Sequence, residues 1–153
     1  MAEPAIDKLR RLVTAENGLC TFACLDASGG PHVSIINAGV MDNPLTGEAS
    51  VACVVRADAR KARLLRADPR AAIAFRHRWD WVAAHGTAQL IGLDDPAEGI
   101  ADADIPELLR EVFRSAGGTH EDWDEYDRVM AAERRLAIFV TLDHITSNTG
   151  SII

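Results

Sequence analysis

The sequence is poor in the residues that build disulfide frameworks, zinc sites and membrane spans. Its three cysteines, Cys20, Cys24 and Cys53, are odd in number and contain no CxxC pair, which suits neither paired disulfides nor a zinc site. The five histidines are scattered without metal-ligand spacing. No apolar run approaches the ~20 residues that span a bilayer, and the N-terminus lacks a secretion signal. We therefore expect a protein of a reducing cytoplasm, with no metal and no membrane contact.

The common nucleotide-binding and catalytic motifs are missing as well. The chain has no GxGxxG, no phosphate loop ending in GK[ST], no GxSxG and no HExxH. These absences argue against dinucleotide-binding, P-loop, serine-hydrolase and zinc-protease chemistry. The sequence identifies no catalytic residue.

The charge of the chain is unevenly distributed. The formal net charge is −7, yet residues 56–78 contain eight of the sixteen Lys and Arg residues and only two Asp. That segment carries +6 and leaves −13 on the remainder. The acidic remainder would repel nucleic acid, so we predict no nucleic-acid partner, whereas a compact basic segment can hold one small anion. The alternative is an Arg-rich helix face that is simply solvated.

The residue pattern predicts one domain over residues 1–153, with strands that do not alternate regularly with helices. Such an order favours a small six-stranded antiparallel barrel, mainly β with flanking helices (α+β), over a parallel nucleotide-binding sheet. The expected helices are 4–16, 59–67, 105–116 and 121–133, and the expected strands are 19–26, 31–40, 49–55, 70–77, 79–91 and 135–142.

The junction between the third strand and the second helix is the best candidate for an anion site. Arg56, Arg60 and Lys61 lie just before or within the first helical turn, where free backbone N–H groups also favour an anion. Arginine grips two phosphate oxygens at once, and lysine adds a compact charge. Asp58 offsets part of this field, or caps the helix. We expect a phosphate group here.

Two further segments carry candidate binding residues. Ser34 and Asn37 are the polar residues of an apolar strand, and their spacing puts them on opposite faces unless a bulge intervenes. Either one reads a polar ring edge, or each makes a strand-end hydrogen bond. Trp79 and Trp81 are two residues apart on a predicted strand, so they form either a stacking wall for an aromatic ring or a core or dimer contact.

Three sequence blocks resemble one known family. VSIINAGVMDNPLTGE, ARKARLLRADPRAAIAFRHRWDWVAAHGTAQLIG and SAGGTHEDWDEYDRVMAAERR are similar to successive blocks of the pyridoxamine-5'-phosphate-oxidase-like FMN-binding split-barrel flavoproteins. Within them they resemble the actinobacterial branch of F420-dependent oxidoreductases (flavin/deazaflavin oxidoreductases, B type). The resemblance runs from about Cys20 to the C-terminus, and the AGGTHEDWDEYDRVM block is characteristic of the branch.

The resemblance implies a six-stranded split β-barrel and a homodimer with a flavin or deazaflavin at the subunit interface. By position, Arg56, Arg60 and Lys61 would face the cofactor phosphate. Ser34 and Asn37 would lie along its ring system, and Trp79 would wall the pocket from the other subunit. A hydroxyl residue often precedes the lysine in flavin-type oxidases of this superfamily. Arg60 stands there in this chain, which favours a longer polyanionic tail over a single flavin phosphate.

The leading hypothesis is an oxidoreductase that binds reduced coenzyme F420 and transfers hydride to a small conjugated acceptor. One alternative is an FMN-dependent oxidase or reductase on the same fold. Another is a cofactor-binding protein without turnover of its own. The sequence does not identify the acceptor.

Overall fold

The computed structural model describes residues 3–149, in which helices pack around antiparallel strands. This confirms the expected α+β class. The helices are α1 (Ala5–Ala15), α2 (Arg60–Ala67), α3 (Ile105–Ser115) and α4 (Trp123–Ala132), with a short 3-10 turn at Asp102–Asp104. The strands are β1 (Leu19–Leu25), β2 (Pro31–Asn37), β3 (Gly39–Asp42), β4 (Ala49–Arg56), β5 (Arg70–His77), β6 (Asp80–Ile91), β7 (Arg135–Thr141) and β8 (His144–Ser147). No helix between residues 3 and 149 is long and apolar enough to cross a membrane.

The strands form one hydrogen-bonded path in the order β2-β1-β5-β6-β7-β4-β3, and β8 pairs with β6 beside it. All pairings are antiparallel. β2 and β3 are the two ends of this open path, yet only Ala38 separates them in the chain. Because one chain segment supplies both ends, the sheet curves around a shared apolar interior, to which β1, β4, β5 and β7 all contribute buried residues.

β6 belongs to both halves of the sheet. Residues 80–87 pair with β5, and residues 88–91 pair with β7. Gly86 lies where the strand passes from one half to the other, and a Cβ added there would come within 2.2 Å of the Thr141 carbonyl oxygen. A side chain would force the strands apart, which explains why glycine occupies this position.

The core is built from alternating strand positions and one covering helix. Cys20, Phe22 and Cys24 of β1 are buried, while the residues between them are half-buried, as the two-residue period of a strand requires. α1 covers this core with Leu9 and Leu12, whose side chains are fully buried. The helix expected at 4–16 and the strand expected at 19–26 are therefore confirmed.

The number of strands differs from the prediction. The expected strand 31–40 is broken at Ala38, and its second part, β3, continues two residues beyond the predicted end, to Asp42. β8 was not predicted, because four residues are too few for alternation to stand out. The expected six strands are eight, so the six-strand count is wrong.

The start of α2 also differs from the prediction. Ala59 occupies the cap position, and no side chain caps the helix. The Asp58 carboxylate instead accepts a hydrogen bond from Arg56 Nε at 3.0 Å. The capping role expected for Asp58 is therefore wrong, because a charged guanidinium two residues away competes for the carboxylate.

Candidate cofactor site

A cavity of about 690 Å³ lies between the sheet and the α3–α4 pair, a size typical of cofactor sites. The ends of β2 and β4 and the start of α2 form one side, and α3 and α4 form the other. The polar lining residues are Asn17, Asn37, Arg56, Lys61 and Arg135, and the larger apolar ones include Val112, Phe113, Tyr126 and Met130. The cavity thus combines a cationic end with an apolar wall.

Lys61 supplies a buried positive charge to this cavity. Its side chain is only 8% exposed, and its Nζ lies 5.7 Å from the centroid of the Phe22 ring. Within residues 3–149 it forms no ion pair, unlike the neighbouring Arg56, Arg66 and Arg70. A buried ammonium group without a counter-ion is costly. An anion in the cavity, next to the free N–H groups at the start of α2, would remove that cost.

Arg56 and Arg135 lie at the same end of the cavity, each beside a carboxylate. Arg56 pairs with Asp58, and Arg135 Nε donates to Glu133 Oε2 at 2.7 Å. The hydrogen bond from Arg56 holds the pKa of the Asp58 carboxyl below its usual value. Because the Arg56–Asp58 pair is solvent-exposed, it contributes little free energy. Arg56 can therefore turn toward an anion at little loss.

The basic segment 56–78 does not form a single positive patch. Arg66 pairs with Asp95 and Arg70 pairs with Asp68, each at 2.7 Å. Of the eight cationic residues in this segment, only Arg56 and Lys61 line the cavity. Two cations of the segment are therefore available at the cavity, and most of the others lie on a solvated, partly neutralised surface.

Asn37 and Ser34 lie on opposite faces of β2, as their spacing predicts. Asn37 lines the cavity, and its Nδ2 donates to the Asn17 carbonyl oxygen at 2.9 Å. Ser34 points inward and does not line the cavity, and its Oγ is buried without a hydrogen-bond partner among residues 3–149. Ser34 is directly opposite Phe22, the ring that also lies under Lys61. The interior beside Lys61 thus holds an unsatisfied hydroxyl.

Arg60 and Trp79 lie outside the cavity of this chain. Arg60 is the first residue of α2 and is exposed. Trp79 is 89% exposed and follows Arg78, whose φ is +56°. This turn separates β5 from β6, so the expectation that Trp79 and Trp81 share a strand is wrong: the strand starts at Asp80.

The helical wall of the cavity was not predicted from the sequence. Phe113, Tyr126 and Met130 lie on α3 and α4, and they line the cavity together with Gly118. A Cβ added at Gly118 would come within 2.0 Å of the Phe113 ring. The available signal was the AGGTHEDWDEYDRVM block, but helical spacing alone does not say which face of a helix meets a cavity.

The cavity offers no side chain suited to proton transfer near neutral pH. Within the described residues, its lining contains no Asp, Glu, His or Cys. The Tyr126 hydroxyl already donates a hydrogen bond to the Leu109 carbonyl oxygen at 3.1 Å, and burial raises the pKa of Tyr126 to about 12. The site can bind an anion and an apolar ring, while redox chemistry would have to come from a bound group.

Solved structures with the same fold extend over nearly the whole chain. An F420 reductase matches with a TM-score of 0.64 and 14% identity, over 95% of this chain and 98% of its own. A conserved hypothetical protein from Mycobacterium tuberculosis matches at 0.64 and 19%, over 90% and 81%. A heme-binding protein from Mycobacterium smegmatis matches at 0.64 and 16%, over 100% of this chain and 58% of its own. At these identities the likeness shows the fold alone.

The family comparison is more specific. The model of the pyridoxamine 5'-phosphate oxidase family matches residues 5–136. This stretch runs from the first residue of α1 to the second residue of β7, and it includes every cavity-lining residue. The chain therefore belongs to the pyridoxamine 5'-phosphate oxidase family.

Proposed function

We propose that this protein is an oxidoreductase that binds reduced coenzyme F420 in the 690 Å³ cavity and passes hydride to a small conjugated acceptor. The observation that carries the proposal is Lys61, a buried ammonium group that has no counter-ion within residues 3–149 and lines a cavity with an apolar wall. When bound, reduced F420 supplies a hydride from its deazaflavin ring. A flavin/deazaflavin oxidoreductase is also what the family and the fold support.

The cavity residues have separate tasks in this proposal. Lys61, Arg56 and Arg135 bind the cofactor phosphate, and Asn37 hydrogen-bonds the polar edge of the ring system. Phe113 and Met130 cover the ring and exclude water. Tyr126 does not protonate the acceptor, because its pKa is about 12 and its hydroxyl is already donated. The proton that follows the hydride then comes from solvent.

Ser34 and Arg60 have roles beyond the cavity lining in the same proposal. Ser34 lies behind the cavity wall: its Oγ, which has no hydrogen-bond partner within residues 3–149, belongs to the residue opposite Phe22, the ring next to Lys61. Arg60 is exposed at the start of α2, where it meets the anionic tail of F420 outside the cavity. The cavity cations therefore bind the phosphate of the cofactor, and Arg60 binds its tail.

The proposal includes a homodimer and a cytoplasmic location. Trp79 is 89% exposed in its own chain, and in the dimer it walls the cofactor site of the partner. Cys20, Cys24 and Cys53 are all free thiols, which suits a reducing compartment.

FMN is the second candidate cofactor. FMN carries one phosphate group, which the single buried lysine of the cavity, Lys61, could bind. FMN has no anionic tail, so it needs no second cation outside the cavity. A protein that binds either cofactor without turnover is also compatible with a cavity whose described lining contains no Asp, Glu, His or Cys.

The proposal is tested by titrating F420 and FMN into the wild-type protein and into Lys61→Met. Methionine keeps a flexible apolar stem over Phe22 and removes the charge. Loss of a charge-assisted phosphate contact removes about 1.5–3 kcal/mol, so affinity should fall roughly ten- to a hundredfold. Arg63→Gln is the matched control, since Arg63 lies exposed on the same helix, outside the cavity lining.

The outcomes separate the candidates. Tighter binding of F420, lost in Lys61→Met and kept in Arg63→Gln, supports the proposal, and turnover of an acceptor by the loaded protein supports catalysis. Tighter binding of FMN selects the second candidate. Unchanged affinity for both cofactors in Lys61→Met would remove the phosphate from this end of the cavity.

A further inference from the structure

Two histidines that are distant in sequence meet on the outer face of the sheet. His85 of β6 and His144 of β8 are directly opposite in the strand register. Their rings stack with centroids 4.7 Å apart and planes 18° apart. Both residues are exposed, and neither is part of the cavity or of the proposed reaction. Among residues 3–149, β8 pairs with β6 alone, so the pair lies at a sheet edge in this part of the chain.

The register holds the two imidazoles within chelating range. Directly opposite residues on antiparallel strands have Cβ atoms about 4.5–5.5 Å apart. A divalent ion bound by two imidazole nitrogens at about 2.0–2.1 Å needs those nitrogens on one side of the pair. The second side-chain torsion of histidine is broad and roughly two-fold. Rotation about it turns one nitrogen of each ring toward a common point without moving the backbone.

We infer that His85 and His144 form a binding site for a divalent transition-metal ion of borderline softness, with Cu²⁺ bound most tightly and Ni²⁺ and Zn²⁺ more weakly. Imidazole nitrogen suits these ions, and the order follows their general affinity for nitrogen ligands. The two histidines occupy two coordination positions of the ion, and water molecules occupy the others. No group of three or more His, Cys, Asp or Glu residues in the described part of the chain could hold a metal, so the pair is a two-ligand site.

The charges around the pair permit a cation. Arg70, the nearest arginine by register, lies two residues before Ala72, the strand partner of His85. The guanidinium of Arg70 is paired with Asp68 at 2.7 Å, which offsets its positive charge. The formal net charge of the chain is −7, and an acidic protein attracts cations to its surface.

The site is tested by calorimetric titration of Cu²⁺ into the untagged wild-type protein, His85→Asn, His144→Asn and the double variant. We expect one ion per chain, and affinity should fall at least about tenfold in each single variant, because even loss of an outer-shell partner costs that much. His77→Asn is the control. It removes one histidine whose ring contacts a carboxylate, that of Glu16, at 2.8 Å, and it leaves the pair intact.

A second measurement does not depend on the variants. In the wild-type protein, substoichiometric Cu²⁺ should first broaden the backbone NMR signals of residues near 85 and 144. Equal Cu²⁺ affinity in the wild-type protein and the double variant would overturn the inference. So would equal weakening by His77→Asn, or broadening that begins elsewhere. Neither readout measures cofactor binding, so a failure of the metal site is distinguishable from a failure of the proposed cofactor chemistry. The pair lies on the same sheet face as Ala83 and Trp81, the face that the proposed dimer uses.

Discussion

At the scale of single residues, Lys61 and Arg60 are adjacent in sequence but differ in environment. Lys61 is buried and lines the cavity, whereas Arg60 is exposed and does not. We expect Arg60→Ala to weaken F420 binding roughly two- to fivefold, the range of an exposed charge contact, and to leave FMN binding unchanged. Titration of both cofactors at low and high salt checks this, because an exposed contact is screened. Equal weakening for FMN would assign Arg60 to the phosphate instead of the tail.

The three cysteines give a second prediction at this scale. Burial raises the pKa of Cys20 and of Cys53 to about 12, and it also raises the pKa of Cys24. The thiolate is the reactive form, so a disulfide reagent at pH 8 should leave the folded protein unlabelled and label all three thiols after unfolding. Stoichiometric labelling of the folded protein would contradict the buried placement.

The raised pKa values of the cysteine thiols also determine how the free energy of unfolding changes at alkaline pH. An ordinary thiol has a pKa of about 8.5, so the unfolded chain releases these protons at lower pH than the folded chain does. Stability is therefore complete below about pH 8.5 and falls as pH rises toward the folded pKa of about 12. Denaturant titrations between pH 7 and pH 10 measure the effect.

At the scale of elements, one polar cluster holds α1, the start of β6 and the segment after β8 together. Lys8 is 2% exposed, and its Nζ lies 2.8 Å from Asp80 and 2.8 Å from Asn148 Oδ1. Asn148 Nδ2 donates to the Trp79 carbonyl oxygen at 2.6 Å, and the Trp81 N–H donates to Asn148 Oδ1 at 3.1 Å. The cluster therefore orders the turn that carries the exposed Trp79.

Asp80→Asn should loosen this cluster, because it leaves the buried Lys8 ammonium without its carboxylate. We expect Tm to fall by several degrees at pH 7. Hydrogen bonds from Lys8 and Arg11 lower the pKa of Asp80. Its contribution is therefore present above the unfolded pKa of about 3.9 and is lost as pH falls through the lower folded pKa. The variant should accordingly show a weaker acid dependence.

A matched variant separates this effect from ordinary surface electrostatics. Asp94→Asn removes a carboxylate from an exposed pair with Arg134 and should leave Tm nearly unchanged. Adding Lys8→Met to Asp80→Asn should restore part of the lost stability, since no unpaired buried charge then remains. Equal Tm losses in Asp80→Asn and Asp94→Asn would contradict the role of Lys8.

At the scale of the whole molecule, one face of the sheet is apolar and open. Strand register places Ile35, Thr21, Ala74 and Ala83 in one row across β2, β1, β5 and β6. Trp81 lies two residues from Ala83 on the same face, and Ile35 is 64% exposed. The small side chains in the middle of this row and the large apolar ones at its sides form a flat surface suited to packing against another protein. In the proposed dimer, that protein is a second copy of this chain.

Trp81→Glu should therefore dissociate the dimer. A two-fold interface repeats the new charge on both subunits, so the substitution acts twice. We expect monomer mass by light scattering together with loss of cofactor affinity, since Trp79 of the partner would no longer reach the site. Leu93→Glu, at another exposed apolar residue, is the control and should leave the mass unchanged.

The two readouts have distinct meanings. A folded monomer that binds cofactor with native affinity would show that the site lies within one chain. A dimer that survives Trp81→Glu would move the interface to another face.

The sequence by itself determined much of the local structure and two of the cations that line the cavity. Alternation in β1 and helical spacing in α1 predicted which side chains are buried, because both periods are properties of the backbone. The positions of Arg56 and Lys61 at a strand-to-helix junction likewise predicted two cavity cations. The family followed from sequence blocks and is confirmed.

Only the tertiary structure decided which distant elements meet. The α3–α4 wall, the Lys8 cluster and the His85–His144 pair join residues that no local pattern relates. The break at Ala38 and the exposed turn at Trp79 depend on how the two halves of the sheet cross. Periodicity fixes the face of an element on which a side chain lies, whereas packing of the whole chain fixes what that face contacts.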